Sequence, residues 1–217
     1  MYTAVIFDLD GTLLDTLDDL TDGVNQALLA HGFPGRTREE VQAFVGNGVE
    51  RLMERAVPGG RENPDFADCF ADFKTAYAAG CTHKTRPYPG ILSLLDRLRE
   101  RGIPAAIVSN KFDPAVKKLA AFYFGDRVAV AVGERPGVRK KPAPDTVFEA
   151  LRLLGLPPAG AVFVGDSDVD IATARAAGLP CISVTWGFRS RDFLVENGGT
   201  TFADNAGELY ERITGER

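Results

Sequence analysis

Two rhythms of apolar and polar residues run along this chain, and the change between them divides it. Short apolar runs, rich in β-branched residues, occur at Ala4-Val5-Ile6-Phe7, Ala105-Ala106-Ile107-Val108, Val128 to Val132, Ala161-Val162-Phe163-Val164 and Cys181-Ile182-Ser183-Val184, with a weaker one at Thr200-Thr201-Phe202. Several are apolar on both faces, which predicts strands of a parallel sheet covered on each side by helices. Between them the period becomes helical. Ile91, Leu94, Leu95 and Leu98 recur until Gly102. Val147, Leu151 and Leu154 recur until Gly155, and Ile171, Ala174 and Ala177 until Gly178. Asp113-Pro114 reads as an N-cap followed by proline at the first helical position. The alternation from Gly90 onward predicts a doubly wound α/β domain.

From about Thr16 to His83 the alternation stops, and no convincing strand pattern is present. Leu17, Leu20, Val24, Ala27 and Leu28 form an apolar helical stripe. Thr37-Arg38-Glu39-Glu40 is a capping-box sequence ahead of Val41, Phe44 and Val45. Gly46-Asn47-Gly48 interrupts, and Val49, Leu52, Met53 and Ala56 resume the helical period. Phe66, Phe70, Phe73 and Tyr77 form a further stripe, read as core, and Pro58 to Pro64 reads as a turn. The expected organisation is therefore an α/β core of residues 1–15 and 84–217 carrying an inserted helical segment of residues 16–83.

Composition narrows the class. The chain has 217 residues, 45% hydrophobic and 25% charged, with 30 acidic and 25 basic residues and a net charge of −5. This is ordinary for a globular protein with a substantial core. There is no basic block of the kind that binds nucleic acid or a membrane surface. Cys69, Cys81 and Cys181 are isolated, with no CxxC pair or Cys/His cluster, so a zinc site is not expected. The N-terminus runs straight into a strand pattern without a signal-like segment, and no apolar run approaches membrane-spanning length. The expected setting is the cytoplasm.

In a parallel α/β sheet, ligands bind at the carboxyl ends of the strands. Asp8-Leu9-Asp10-Gly11-Thr12 follows the first run and Ser109-Asn110-Lys111 the second. Lys140-Lys141-Pro142 lies beyond the third, and Gly165-Asp166-Ser167-Asp168-Val169-Asp170 follows the fourth. Acids, a hydroxyl and a lysine thus collect at one sheet edge, the parts that phosphoryl transfer requires. Clustered carboxylates resist ionising together unless a cation relieves their repulsion. Mg²⁺ suits a few carboxylates with water and a phosphate oxygen. Asp8 is then placed to attack phosphorus and form an aspartyl-phosphate. Asp10 is expected to protonate the leaving oxygen and later to deprotonate water, with Gly11 letting the chain leave strand geometry. Ser109 offers its hydroxyl and neighbouring N–H groups to phosphate, and a lysine balances charge on the transferring oxygens. Of the two adjacent lysines, Lys141 is preferred because it precedes Pro142. Asp166 is expected to contact the metal, and Asp170 to hold a metal-bound water or the lysine.

The ordered set Asp8-x-Asp10-Gly11-Thr12, Ser109-Asn110, Lys141-Pro142 and Gly165-Asp166-x-x-x-Asp170 resembles the four motifs of the haloacid dehalogenase-like hydrolase superfamily, across nearly the whole chain. The resemblance implies a Rossmann-like core, Mg²⁺, Asp8 as nucleophile and Asp10 as acid/base. It further implies metal ligation by Asp8, the main-chain carbonyl of Asp10, and Asp166, with Thr12 and Asp170 in support and the helical insert as a C1 cap. Phe7 to Asp15, Gly46-Asn47-Gly48, Arg86-Pro87-Tyr88-Pro89-Gly90, Asn110-Lys111 and Lys140 to Pro144 are similar to phosphoglycolate phosphatases. That likeness implies a small phosphate ester such as 2-phosphoglycolate as substrate, bound in part by Ser109, Asn110, Lys141 and the main chain of Gly46, Asn47 and Gly48. Phosphomutases of the β-phosphoglucomutase type and inorganic pyrophosphatases share many of these phrases. A receiver-like phospho-Asp switch does not fit the early position of the acidic motif. Arg135 and Arg139, near the lysine motif, match no family signature.

Bland readings stand beside these. Asp168 reads as the N-cap of the helix containing Ile171, and Asp15 as a cap of the first inserted helix. His31 and His83 carry no catalytic pattern. Arg51 reads equally as an exposed arginine and as a substrate contact, and Trp186 as a structural flank.

Overall fold

A computed structural model describes residues 1–216. The chain forms two compact units, Met1–Asp15 with Pro87–Arg217, and Thr16–Arg86. The first strand, β1 (Ala4–Phe7), is fully buried. Four helices make up the second unit: α1 (Leu17–Ala30), α2 (Arg38–Phe44), α3 (Val49–Ala56) and α4 (Phe66–Gly80). The rest of the first unit comprises α5 (Ile91–Glu100), β2 (Ala105–Phe112), α6 (Asp113–Tyr123), β3 (Val130–Glu134), α7 (Asp145–Leu154), β4 (Ala161–Gly165), α8 (Asp168–Ala177), β5 (Cys181–Val184), α9 (Arg191–Glu196), β6 (Phe202–Ala203) and α10 (Ala206–Thr214).

The six strands form one parallel sheet in the order β3-β2-β1-β4-β5-β6. This is a Rossmann-like, doubly wound α/β fold. The chain winds outward from β1 through β2 to β3, then returns to β4 on the other side of β1. Strand order therefore reverses at β1, and a ligand crevice is expected beyond its carboxyl end. On one sheet face Ala4, Ile6, Ala106, Val108 and Phe163 pack against Val147, Ala150 and Leu151 of α7 and Ala174 and Ala177 of α8. Gly155 and Gly178 end α7 and α8 in the left-handed conformation, as the periodic stops predicted.

Several boundaries differ from the pattern. β2 runs on to Phe112, so Ser109, Asn110 and Lys111 lie within the strand, with its register to β3 shifting between Val108 and Phe112. Polar residues at a buried strand end lack the apolar signature, so the apolar run ends at Val108 while the strand continues. Helix α6 starts at Asp113 with Phe112 at the N-cap position. The Asp113 carboxylate instead accepts the Gly133 N–H at 2.9 Å. β3 begins at Val130 and β6 is Phe202–Ala203, each displaced by two residues from the expected start. Helices α9 and α10 were not singled out by periodicity.

In the helical unit, Leu20, Val24 and Ala27 of α1 are buried, as are Phe66, Phe73 and Tyr77 of α4. The rings of Phe66, Phe70, Phe73 and Tyr77 stack in sequence with centroids 6.1, 6.5 and 5.7 Å apart. Phe70 is only half-buried, with the Lys74 ammonium 4.7 Å from its centroid. The capping box at Thr37 forms: Thr37 Oγ1 accepts the Glu40 N–H at 3.2 Å, and Glu40 Oε2 accepts the Thr37 N–H at 2.7 Å. Thr16, not Asp15, occupies the N-cap position of α1. The buried Asp19 accepts main-chain N–H groups of Lys84 at 2.9 and 3.1 Å and of Thr85 at 2.8 Å, fastening the returning chain to α1. Among the described residues, no helix is long and apolar enough to cross a membrane.

Candidate active site

β1 ends at Phe7, and the next residue, Asp8, donates its N–H to the Val164 carbonyl at 2.9 Å, which seats it between β1 and β4. The chain then turns back on itself. The Leu9 carbonyl accepts N–H groups from Thr12, Leu13 and Leu14, and Gly11 has φ +85°. A side chain at Gly11 would be strained by that φ, and its Cβ would also lie 2.3 Å from Asp166 Oδ2.

β4 delivers Asp166 at its carboxyl end. Its carboxylate accepts the Thr12 hydroxyl at 3.0 Å through Oδ1 and the Phe188 N–H at 2.7 Å through Oδ2. Gly187 presses on the same group: a Cβ there would lie 2.3 Å from Asp166 Cβ. The Trp186 indole N–H donates to the Thr12 carbonyl at 3.0 Å, so the segment after β5 braces both Thr12 and Asp166. A lone tryptophan in sequence carries no hint of that bond.

Asp170, in the first turn of α8, faces inward and is fully buried. Its Oδ2 accepts from Asp166 N–H at 3.2 Å, Ser167 N–H at 3.0 Å and Ser167 hydroxyl at 2.6 Å. Ser167, not Asp168, is the N-cap of α8, in a capping box with Asp170. The expectation for Asp168 fails because the residue before it supplies the hydroxyl, leaving Asp168 in the helix proper. Asp170 Oδ1 lies 2.7 Å from Lys141 Nζ, and Lys141 Nζ also lies 2.7 Å from Asp8 Oδ1. Lys141 is buried, whereas Lys140 is half-exposed and 3.5 Å from Glu134. The Asn110 amide donates to the Lys141 carbonyl at 3.0 Å, holding the lysine's main chain.

Two carboxylates, Asp8 and Asp170, thus hold one buried ammonium, with a third, Asp166, within 4.8 Å of both. Burial, and after it repulsion from Asp170, raises the Asp8 carboxyl well above the usual carboxylate range despite Lys141. The same two causes push Asp166 up to about 7, against the bonds from Phe188 and Thr12. For Lys141, burial favours the neutral form, but Asp170 and Asp8 outweigh it and the ammonium is held above its ordinary range. Ligand oxygens of Asp8, Asp166 and Asp170 all lie within 4.8 Å of one another, and this group can hold a metal ion. An all-oxygen set with excess negative charge fits a hard divalent cation. Asp170 Oδ2 accepts three hydrogen bonds and its Oδ1 faces the Lys141 ammonium, so both of its oxygens are engaged.

Asp10 lies in this region with a different partner. Its Oδ1 is ion-paired with the Lys111 ammonium, and its Oδ2 is 3.4 Å from the Ser109 hydroxyl. Lys111 went unassigned in the sequence, although residues two apart on a strand share a face and Ser109 was already a candidate. Two hydrogen-bonded sets thus occupy this end of the α/β unit: Asp8, Thr12, Asn110, Lys141, Asp166 and Asp170 in one, and Asp10, Ser109 and Lys111 in the other. Gly46, Asn47 and Gly48 belong to the helical unit, where Gly48 is the N-cap of α3 with φ +88°. Arg51 is ion-paired with Glu54. Arg135 pairs with Glu149 and lies 3.8 Å from Asp113, and Arg139 lies 2.9 Å from Asp145, which gives both arginines acidic partners.

The family model for haloacid dehalogenase-like hydrolase matches residues 5–184. The chain is 36% identical over 191 residues to a phosphoglycolate phosphatase of Pseudomonas putida, covering 85% of this chain and 70% of that one. It is 36% identical over 193 residues to a phosphoglycolate phosphatase of Rhodobacter capsulatus, covering 87% of each. A crystal structure of a candidate phosphoglycolate phosphatase from Lactobacillus delbrueckii subsp. bulgaricus superposes with a TM-score of 0.93 at 38% identity, covering 98% of both chains.

Proposed function

Because the chain belongs to the haloacid dehalogenase-like hydrolase family and is a phosphoric monoester hydrolase, we propose that it hydrolyses 2-phosphoglycolate through a phosphorylated Asp8. The observation that carries the reading is the buried trio Asp8, Asp166 and Asp170, two of them paired with Lys141, at the carboxyl ends of β1 and β4. The names of the relatives support the substrate.

Lys141 holds Asp8 by one oxygen, which leaves the other to attack phosphorus. The ester P–O bond breaks as the Asp8 O–P bond forms, and Asp10 gives a proton to the departing oxygen. Water then attacks the aspartyl-phosphate, Asp10 takes its proton, and inorganic phosphate leaves. Ser109 and Lys141 donate to the transferring phosphoryl oxygens. Mg²⁺, which Asp8, Asp166 and the Asp10 carbonyl would hold, supplies positive charge that screens the phosphate from the carboxylate nucleophile. Thr12 and the Phe188 N–H keep Asp166 oriented, and Asp170 keeps Lys141 in place. The helical unit is the cap. Three free thiols, with Cys69 and Cys81 buried, accord with a reducing cytoplasm.

The test is phosphate release from a panel of phosphomonoesters and pyrophosphate with and without Mg²⁺. The expected result is a highest kcat/KM for 2-phosphoglycolate and loss of turnover with EDTA. Preference for a sugar phosphate, or isomerisation of one, would overturn the substrate assignment.

A further inference from the structure

We propose that Lys111 is the positioning residue for Asp10, fixing its carboxyl for proton transfer to the leaving oxygen. The proposal rests on the acid/base role given to Asp10 above. Lys111 is buried, with its side chain 2% exposed against 13% for Asp10, and the two are ion-paired. A buried ammonium is unfavourable unless a carboxylate compensates it, so its placement within β2 is a structural commitment.

The hold on Asp10 has more than one point. Lys111 engages Oδ1 while Ser109 reaches Oδ2 at 3.4 Å, and the Lys111 N–H donates to Ser109 Oγ at 3.1 Å. Two residues of one strand, two positions apart, thus reach both oxygens of one carboxyl. Asp10 lies three residues beyond the end of β1, in an isolated bridge with Leu14 rather than in the sheet, so the sheet itself does not set its side chain. The site's two buried lysines divide its acids. Lys141 serves Asp8 and Asp170, and Lys111 serves Asp10. Orientation of a proton donor is worth orders of magnitude in rate, because a displaced carboxyl no longer meets the leaving oxygen.

Protonation matters in proportion to the basicity of the leaving group, and this provides the test. kcat/KM covers binding through departure of the first product, the step in which the ester bond breaks. With 2-phosphoglycolate, an alkyl ester, Lys111→Met should lower kcat/KM by about 10²-fold, within the usual reach of general acid catalysis. With p-nitrophenyl phosphate, whose leaving group departs without a proton, kcat/KM should stay within about threefold of the parent enzyme. The double variant Lys111→Met/Asp10→Asn should be no slower on 2-phosphoglycolate than Asp10→Asn alone, since the lysine acts through the acid. It also removes the charge that Lys111→Met would leave unpaired, so it tests the idea even if the single variant folds poorly. Equal losses on both esters, or additive losses in the double variant, would overturn the proposal. Asp10→Asn showing leaving-group dependence while Lys111→Met shows none would overturn the role of Lys111 alone. Asp10→Asn without that dependence would remove the role of Asp10, and this proposal with it.

Discussion

The α/β unit and the helical unit stabilise their interiors by different means. Around β1 and β4, the buried Asp8, Lys141, Asp166 and Asp170 are coupled through charge and hydrogen bonds. In the helical unit the interior is a ladder of aromatic rings, while pairs such as Arg38–Asp18 and Arg61–Glu50 lie at the surface. The buried Asp19 there meets main-chain N–H groups rather than another charge. A replacement in the first unit therefore acts through the charge it leaves unmatched, and one in the second through the volume it removes. Chemistry and stability should separate along that line.

The largest effect tests the chemistry. Asp8→Asn should lower kcat by at least about 10³-fold, as loss of a nucleophile does elsewhere. It should leave the thermal unfolding temperature no lower at pH 8, because it removes one of three crowded carboxylates. Phosphate release and calorimetry check both halves, and a tenth of parent activity remaining would refute the nucleophile. Lys141→Met should destabilise the fold by about 3–5 kcal/mol in urea titrations, since it strips the cation from buried carboxylates. Adding Asp170→Asn should recover part of that loss. A single-variant loss below about 1 kcal/mol would mean the buried charges are not coupled as their distances imply. Phe73→Ala should cost about 3–5 kcal/mol through lost packing, yet preserve kcat/KM for p-nitrophenyl phosphate at temperatures where the variant is folded. Collapse of that activity would erase the division between the units.

The smallest effect is in pH. Asp166 titrates at about 7 against an ordinary 3.8, through burial and Asp170. A carboxyl with a raised native value favours the folded state while protonated. That contribution is full below about 3.8 and is lost as pH rises through about 7. A cation binds the ionised form and offsets the loss. The rise in unfolding temperature on adding Mg²⁺ should therefore be larger at about pH 8 than at about pH 5.5. Equal rises would place the cation away from Asp166.

Much of this was readable from residue order. The apolar runs around Ile6 and Phe163 and the stops at Gly155 and Gly178 follow from local periodicity, which backbone geometry enforces within a few residues. The acidic motifs were readable because strand ends in a parallel sheet converge. What escaped depends on partners remote in sequence. Lys111 and Asp10 are 101 residues apart, and the Trp186 indole and the Thr12 carbonyl 174. Ser109 to Lys111 fall beyond the apolar run yet inside the strand, because burial at the end of β2 is met by polar contacts, which no hydrophobic pattern marks.

Gly11 and Gly187 crowd Asp166 from two directions, each leaving no room for even a methyl group. The seat of that carboxylate is made by subtraction. A search for reactive groups passes over both positions, since neither offers an atom to the chemistry. In a saturation screen for growth or turnover, they should nonetheless tolerate as few replacements as the aspartates themselves. Over generations, such empty places constrain drift as firmly as the acids they shelter.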